Sequence, residues 1–177
     1  MNKERDWWAW QQKANAEPDP VKREAIFREG LKDFPESVEL NYNFARFMTY
    51  ARKEYDEAER HYRKALELDP EDTDTIGNLA LFMTNVRKNH DEAERLYRRA
   101  LELDPEGANI TGNFAVFLYK VRRDHGTAER LFRKALELDP SHAIHTGSFA
   151  NFMADLRRDD DEAQRLYRKA LERDPMD

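Results

Sequence analysis

Three asparagines, Asn43, Asn78 and Asn113, stand 35 residues apart, and Ser148 follows at the same interval. A carboxamide offers one acceptor and two donors, so a row of them can pair with both groups of a peptide bond. The same amides can instead bond to neighbouring helices and hold the scaffold, and residue type alone leaves both roles open. Gly77, Gly112 and Gly147 precede these positions by one residue. Glycine inside a helix costs about 1 kcal/mol relative to alanine, so its periodic use calls for tight helix packing or a backbone close to a ligand. Basic pairs recur at the same period: Arg52-Lys53, Arg87-Lys88, Arg122-Arg123 and Arg157-Arg158. A stripe of cations suits an acidic partner or a phosphate backbone. The flanking Glu54, Asp56, Asp91, Asp124, Asp159 and Asp160 predict instead a solvated, salt-bridged edge. Single-stranded RNA would also need aromatic stacking platforms, and the pairs hold none.

Signals for catalysis are absent. There is no glycine-rich phosphate loop, no nucleophile elbow and no carboxylate pair set apart as acid and base. His142 and His145 are three residues apart and can share a helical face. A metal would need a third ligand and supporting groups around it, so a surface or groove pair is the expectation. His90 and His125 fill equivalent repeat positions. With no cysteine, a disulfide framework, a thiolate metal site and a cysteine nucleophile are excluded. The reading is a non-enzymatic protein without metal or cofactor. A formal charge of −6 opposes broad binding to nucleic acid or anionic membrane. The N-terminal residues do not read as a secretory signal, and no apolar stretch approaches the ~18 residues of a membrane span. A cytoplasmic protein is therefore expected.

The elements that must position these residues are legible from self-similarity. Pro70, Pro105, Pro140 and Pro175 are spaced by 35, and sliding 55–89 onto 90–124 gives 20 identities. A fainter copy places Phe27, Leu31 and Pro35 ahead of Tyr62, Leu66 and Pro70. Each unit reads as two helices. Ala93, Leu96, Tyr97, Ala100 and Leu101 keep to one side of the second, and charged residues fill the other. Asp91-Glu92 opens that helix at the positive end of its dipole, and Asp104-Pro105 closes it. Phe114, Ala115, Phe117, Leu118 and Val121 form the stripe of the first helix. Neither helix can bury its stripe alone, so units must stack.

The run Asp-Glu-Ala-Glu-Arg-x-Tyr-Arg-x-Ala-Leu-Glu-Leu-Asp-Pro, with Ala80, Ala93, Tyr97, Ala100 and Pro105, resembles the tetratricopeptide repeat (TPR) family. The resemblance covers residues from about 20 to 177. The chain departs from the family in its period of 35 rather than 34, with the extra residue expected in the turn at Val86-Arg87-Lys88-Asn89 and its copies. A bulky aromatic early in the first helix gives way to Asn41, Ile76, Thr111 and Thr146. Phe47, Phe82, Phe117 and Phe152 replace a small residue later in it. The segment Trp7-Trp8-Ala9-Trp10, followed by Ala25 to Leu31, is similar to the half-a-TPR variant and reads as a capping unit. Trp7, Trp10 and Ala14 would cover Ile26, Phe27 and Leu31, and Trp8 is the tryptophan left to face a partner.

The resemblance implies an all-α, right-handed α-solenoid of about five helix-turn-helix repeats, about ten antiparallel helices in one domain over 1–177. Residues 1–35 would cap it, 36–70, 71–105 and 106–140 would be repeats, and 141–177 would close it. It also implies that first helices line a concave groove for an extended peptide or helix of a protein partner. The groove positions carried over are Tyr42, Asn43, Arg46 and Tyr50, then Asn78, Leu81 and Asn85. Asn113, Val116, Tyr119, Lys120 and Asn151 continue the series. Packed helices sit roughly 10 Å apart, and an extended chain rises about 3.3 Å per residue. One asparagine would then meet about every third ligand residue. Arg46 and Lys120 are the only groove cations, so the cationic clamp of the chaperone-binding class is not carried over. At the far end Leu166, Tyr167 and Leu171 lack a following unit, and Arg173 replaces a repeated leucine. Either the end stacks on another copy, giving a homo-oligomer, or the chain is an excerpt from a longer array. A self-assembling array is one alternative to an adaptor, and a consensus-like designed repeat without an evolved ligand is another.

Overall fold

The computed structural model describes residues 7–157 and 160–171, the side chains of Arg157, Asp160, Ala170 and Leu171 excepted. Ten α-helices and no strand occur among them. Two compact units result, Met1–Arg87 and Lys88–Asp177. The first holds α1 (Trp7–Ala16), α2 (Pro20–Asp33), α3 (Val38–Phe47), α4 (Tyr55–Leu68) and α5 (Thr73–Phe82). The second holds α6 (His90–Leu103), α7 (Ala108–Phe117), α8 (His125–Leu138), α9 (Ala143–Phe152) and α10 (Asp160–Leu171). In the first unit α1 packs on α2, α2 on α3, α3 on α4 and α4 on α5. In the second, α6 packs on α7, α7 on α8, α8 on α9 and α9 on α10.

Local chemistry sets the helix ends. Pro20 begins α2 behind Asp19, whose Oδ1 accepts from the amides of Val21 (2.8 Å) and Lys22 (3.2 Å). Ser37 caps α3, Asn89 caps α6 and Asp124 caps α8 in the same way. The Asp-Pro pairs form a recurring turn. Asp69, Asp104 and Asp139 each accept the amide two residues on, at 3.0, 3.1 and 2.9 Å. The intervening proline cannot continue the helix, and the aspartate supplies the turn's hydrogen bond.

The residue beyond a 34-residue period is absorbed mainly in the helix. The expectation put it in the turn between helices. Met48–Arg52, Met83–Arg87 and Leu118–Arg122 are π-helical turns that end α3, α5 and α7, and Met153–Arg157 ends α9. A single extra residue widens one helical turn in this way. The chain then exits through a left-handed residue, Lys53, Lys88 or Arg123, with φ near 60°.

Inside the units, small and large residues alternate. Ala58 and Ala65 flank Tyr62, Ala93 and Ala100 flank Tyr97, and Ala128 and Ala135 flank Phe132, all with no exposed surface. These aromatics meet the phenylalanines that stand where the family has a small residue. Tyr62 lies 5.8 Å from Phe82, Tyr97 5.6 Å from Phe117 and Phe132 5.7 Å from Phe152. Phe27 plays the same part for Phe47 at 5.5 Å, so the first helix pair extends the aromatic series. Trp10 lies directly over Gly30 of α2, where even a Cβ would crowd it. Ala14 and Phe27 are buried beside them, and Trp8 is 56% exposed.

Two of the three periodic glycines, Gly112 and Gly147, stand in opposite surroundings. Gly112 has no room for a side chain, because the ring of His145 occupies the place of its Cβ. At Gly147 nothing lies within 4 Å of that place. Alanine at each position gains about 1 kcal/mol of helix propensity, but at Gly112 the crowding outweighs it. Gly147→Ala is expected to raise the unfolding free energy of the second unit by about 1 kcal/mol. Gly112→Ala is expected to lower it by about 1–3 kcal/mol. Parallel denaturant titrations of both variants check the opposite signs.

Candidate functional site

Ion pairs occupy the basic edge. Arg87 reaches Asp56 (2.5 Å) and Glu59 (2.6 Å) in the first unit. Arg122 repeats the arrangement with Asp91 and Glu94, both at 2.6 Å, in the second. Arg52 pairs with Glu24 at 2.7 Å. The hydrogen bond from Arg122 holds the Asp91 carboxyl below its usual range, and Arg98 does the same for Glu94. The second member of each pair, Lys53, Lys88 or Arg123, is the left-handed residue that ends the π turn. Arg158 and Asp159 lie outside the described residues, as do the side chains of Arg157 and Asp160.

The asparagine series is largely engaged within the fold. Asn43 Nδ2 donates to the Glu39 carbonyl at 2.9 Å. Asn78 Nδ2 donates to the Asp74 carbonyl (2.9 Å) and to the Tyr42 hydroxyl (3.0 Å). Burial pushes the Tyr42 hydroxyl above its ordinary pKa. Asn113 Oδ1 faces His145 Nε2 at 3.5 Å. Leu81 and Val116 are half-buried, and Asn85 and Lys120 are exposed. Tyr119 is 5% exposed and its hydroxyl donates to Asp155 at 2.5 Å. Burial, with Asp155 beside it, pushes that hydroxyl up to about 12. Asn151 is exposed, with Oδ1 accepting from the Tyr167 hydroxyl at 2.7 Å. Leu166, expected on an open end, is buried at 3% exposure. The Leu171 side chain and Arg173 lie outside the described residues.

One cleft gathers expected residues in the first unit. It encloses about 260 Å³ between α1, α2 and α3. Asn43, Arg46 and Tyr50 line it from α3 and its π turn, with Phe47 and Ala51. Phe27 and Arg23 come from α2, and Gln11 and Asn15 from α1. Tyr50 is 59% exposed. Arg23 Nε donates to the Glu17 carbonyl at 2.7 Å, and its guanidinium lies 5.9 Å from the Phe47 ring. Arg46 lies 5.5 Å from the Tyr42 ring. Gln11 Nε2 donates to Asn15 Oδ1 at 2.9 Å. Gln11, Asn15 and Arg23 escape a reading based on first-helix positions, because they belong to the capping pair. The spacing of Gln11 and Asn15, four apart on one helical face, is the signal that marks them.

The two histidines form a structural unit. Their rings stack at 3.7 Å, and His142 Nδ1 caps α9 by accepting the His145 amide at 3.3 Å. His145 is 2% exposed, and burial, with His142 next to it, lowers its pKa to about 4. Among the described residues no group of three His, Cys, Asp or Glu is placed to hold a metal ion. No helix among them is long and apolar enough to cross a membrane.

Residues 50–72 and 86–143 match family models described as tetratricopeptide repeat. No curated protein matches the chain. Among solved structures, the chain is similar to PilW, a widely conserved type IV pilus biogenesis factor. The TM-score is 0.85 at 20% identity, covering 98% of this chain and 80% of PilW. TTC0263, a thermophilic TPR protein in Thermus thermophilus, gives 0.78 at 18% identity, covering 99% and 93%. YrrB, a TPR protein with an unusual peptide-binding site, gives 0.62 at 20% identity over 88% and 78%. The fold is the all-helical TPR solenoid class. Residues 50–72 and 86–143 thus carry tetratricopeptide repeat sequence.

The buried histidine gives the second unit an acid-sensitive element. Above about pH 6.5 His145 is neutral in both folded and unfolded chains. As pH falls from there toward 4, the unfolded chain takes up a proton that the folded one refuses. Stability is therefore lost on that descent, by at most about 1.4 kcal/mol per pH unit. His145→Ile, which installs the residue of the equivalent Ile110, is expected to flatten this part of the curve. Thermal melts of both proteins between pH 7 and 4 check it, and parallel curves would refute it.

Proposed function

We propose that this TPR protein is a non-enzymatic scaffold that holds a segment of a partner protein on its first-helix side. The tetratricopeptide repeats matched over 50–72 and 86–143 support a protein-interaction role. The observation that carries the finer reading is the cleft of the first unit, where Asn43, Arg46 and Tyr50 stand together beside apolar Phe47. Most surface arginines near an aromatic ring are already tied to carboxylates, whereas this cleft keeps hydrogen-bonding groups accessible. A peptide offers unpaired N–H and C=O groups to meet them. YrrB, which shares the fold, is a TPR protein with an unusual peptide-binding site. Tyr50, largely exposed, supplies the flat amphipathic surface that interfaces favour.

Leu81, Asn85, Val116 and Lys120 are further contacts in this reading, each on a first helix or its π turn. The asparagines act mainly by holding the helices that present the site, since Asn43 and Asn78 spend donors on helix carbonyls. Self-association would have to use Tyr167 rather than Leu166, because Leu166 is buried.

The test is quantitative capture from a lysate by the wild type, by Arg46→Ala/Tyr50→Ala and by the edge variant Arg122→Gln, after circular dichroism shows that all three fold. A partner held by the wild type and by Arg122→Gln, and released at least about tenfold by the cleft variant, is expected. Equal capture by the cleft variant would overturn the reading.

A further inference from the structure

Seven arginines lie over aromatic rings among the described residues: 23, 28, 46, 87, 98, 122 and 133. Five of them are also ion-paired. Arg28 holds Glu24 and Glu57, Arg87 holds Asp56 and Glu59, and Arg122 holds Asp91 and Glu94. Arg98 holds Glu94, and Arg133 holds Glu129. The two without a carboxylate among the described residues are Arg23 and Arg46, and both line the cleft between α1, α2 and α3. In a chain with six more acidic than basic side chains, two guanidinium groups without a carboxylate partner among the described residues line one concavity and give it positive charge.

The other groups of the cleft fit the same ligand. Asn15 Oδ1 accepts from Gln11, which leaves the Asn15 Nδ2 group as its remaining hydrogen-bonding group. Asn43 is held by its bond to Glu39, and Tyr50 adds a hydroxyl. Gln11 is 7% exposed and its Oε1 has no hydrogen-bond partner. Guanidinium groups bind carboxylates through paired, charge-assisted hydrogen bonds. A buried amide oxygen without a donor is served by an N–H. A peptide residue with an acidic side chain carries both.

We propose that the cleft of the first unit binds an aspartate or glutamate side chain of a partner segment, with Arg23 and Arg46 as the carboxylate-binding pair. This rests on the scaffold reading above and names the chemistry that the segment must bring. The capping helices are then part of the recognition surface, since α1 and α2 supply Gln11, Asn15 and Arg23.

The probe is the acetylated, amidated peptide Ala-Glu-Glu-Ala, titrated into the isotope-labelled full chain by NMR. Saturable shifts of the Arg23 and Arg46 side-chain resonances and of the Asn15 amide are expected. The neutral Ala-Gln-Gln-Ala peptide should bind at least about tenfold more weakly. Arg46→Gln changes an exposed side chain, so the fold is kept, and it should weaken the acidic peptide by a similar factor. The control Arg95→Gln, in the second unit, should leave binding unchanged. Equal binding of the neutral peptide, or an unaffected Arg46→Gln, would overturn the carboxylate assignment while leaving segment binding in place. The neutral peptide with a free terminal carboxylate distinguishes the source of the anion: binding equal to that of Ala-Glu-Glu-Ala would assign the cleft to a chain end and overturn the side-chain proposal. No shift from any peptide, with partner capture unaffected by Arg46→Ala/Tyr50→Ala, would remove both readings.

Discussion

The close approach of helices at alanine, with an aromatic ring filling the space beside it, is the contact on which the rest of this structure depends. In α4, α6 and α8 the second helix presents a pair of fully buried alanines around a tyrosine or phenylalanine. The ring reaches the phenylalanine at the end of the following first helix in three consecutive copies, at 5.6 to 5.8 Å. Aromatic burial of this kind contributes roughly 1.5–3 kcal/mol per side chain, and tilted ring pairs add about 0.5–1.5 kcal/mol. A small residue at Phe47, Phe82, Phe117 or Phe152 would remove one of the rings packed against the second-helix aromatic and leave a cavity. The phenylalanines are therefore a change of packing scheme within the family, and the π turns that follow them accommodate the lengthened repeat.

Around this core, arginine does two jobs with one side chain. The guanidinium lies over a phenylalanine of one helix while its fork closes on glutamates or aspartates of another, as Arg87 and Arg122 do. Exposed pairs contribute at most about 1 kcal/mol each, so their value here is register as much as stability. They also set carboxylates against the positive charge of Arg87 and Arg122. Arg23 and Arg46 keep the aromatic contact and lack the carboxylate. In the proposed reading, that difference makes a repeated packing device a recognition surface at one place.

The acid-sensitive histidine and the crowded glycine are two sides of one adjustment. Gly112 lacks a side chain where His145 has a ring, and the ring in turn stacks on the residue that caps its own helix. The equivalent residues Leu40, Thr75 and Ile110 show that the position accepts an apolar side chain or a hydroxyl. Histidine there makes the packing of α7 and α9 depend on protonation.

Several features were determined by the sequence itself. Repeated Asp-Pro, the alanine and aromatic spacing and the 35-residue identity set the helix pairs and their ends, because caps, prolines and helical periodicity act over a few residues. The paired character of the basic edge was legible too, since acidic residues recur at fixed offsets from each arginine. Tertiary structure alone decided the rest. Whether Asn78 faces a ligand or Tyr42, whether Tyr119 offers surface or bonds Asp155, and whether Leu166 is open or covered depend on atoms 36 residues away or on another helix. The cleft shows the same limit: Arg23 and Gln11 carry no repeat signature, and they meet Arg46 because α1 and α2 fold against α3. A charge's partners are set by packing in space, and spacing along the chain records only those that share a helix or a repeat.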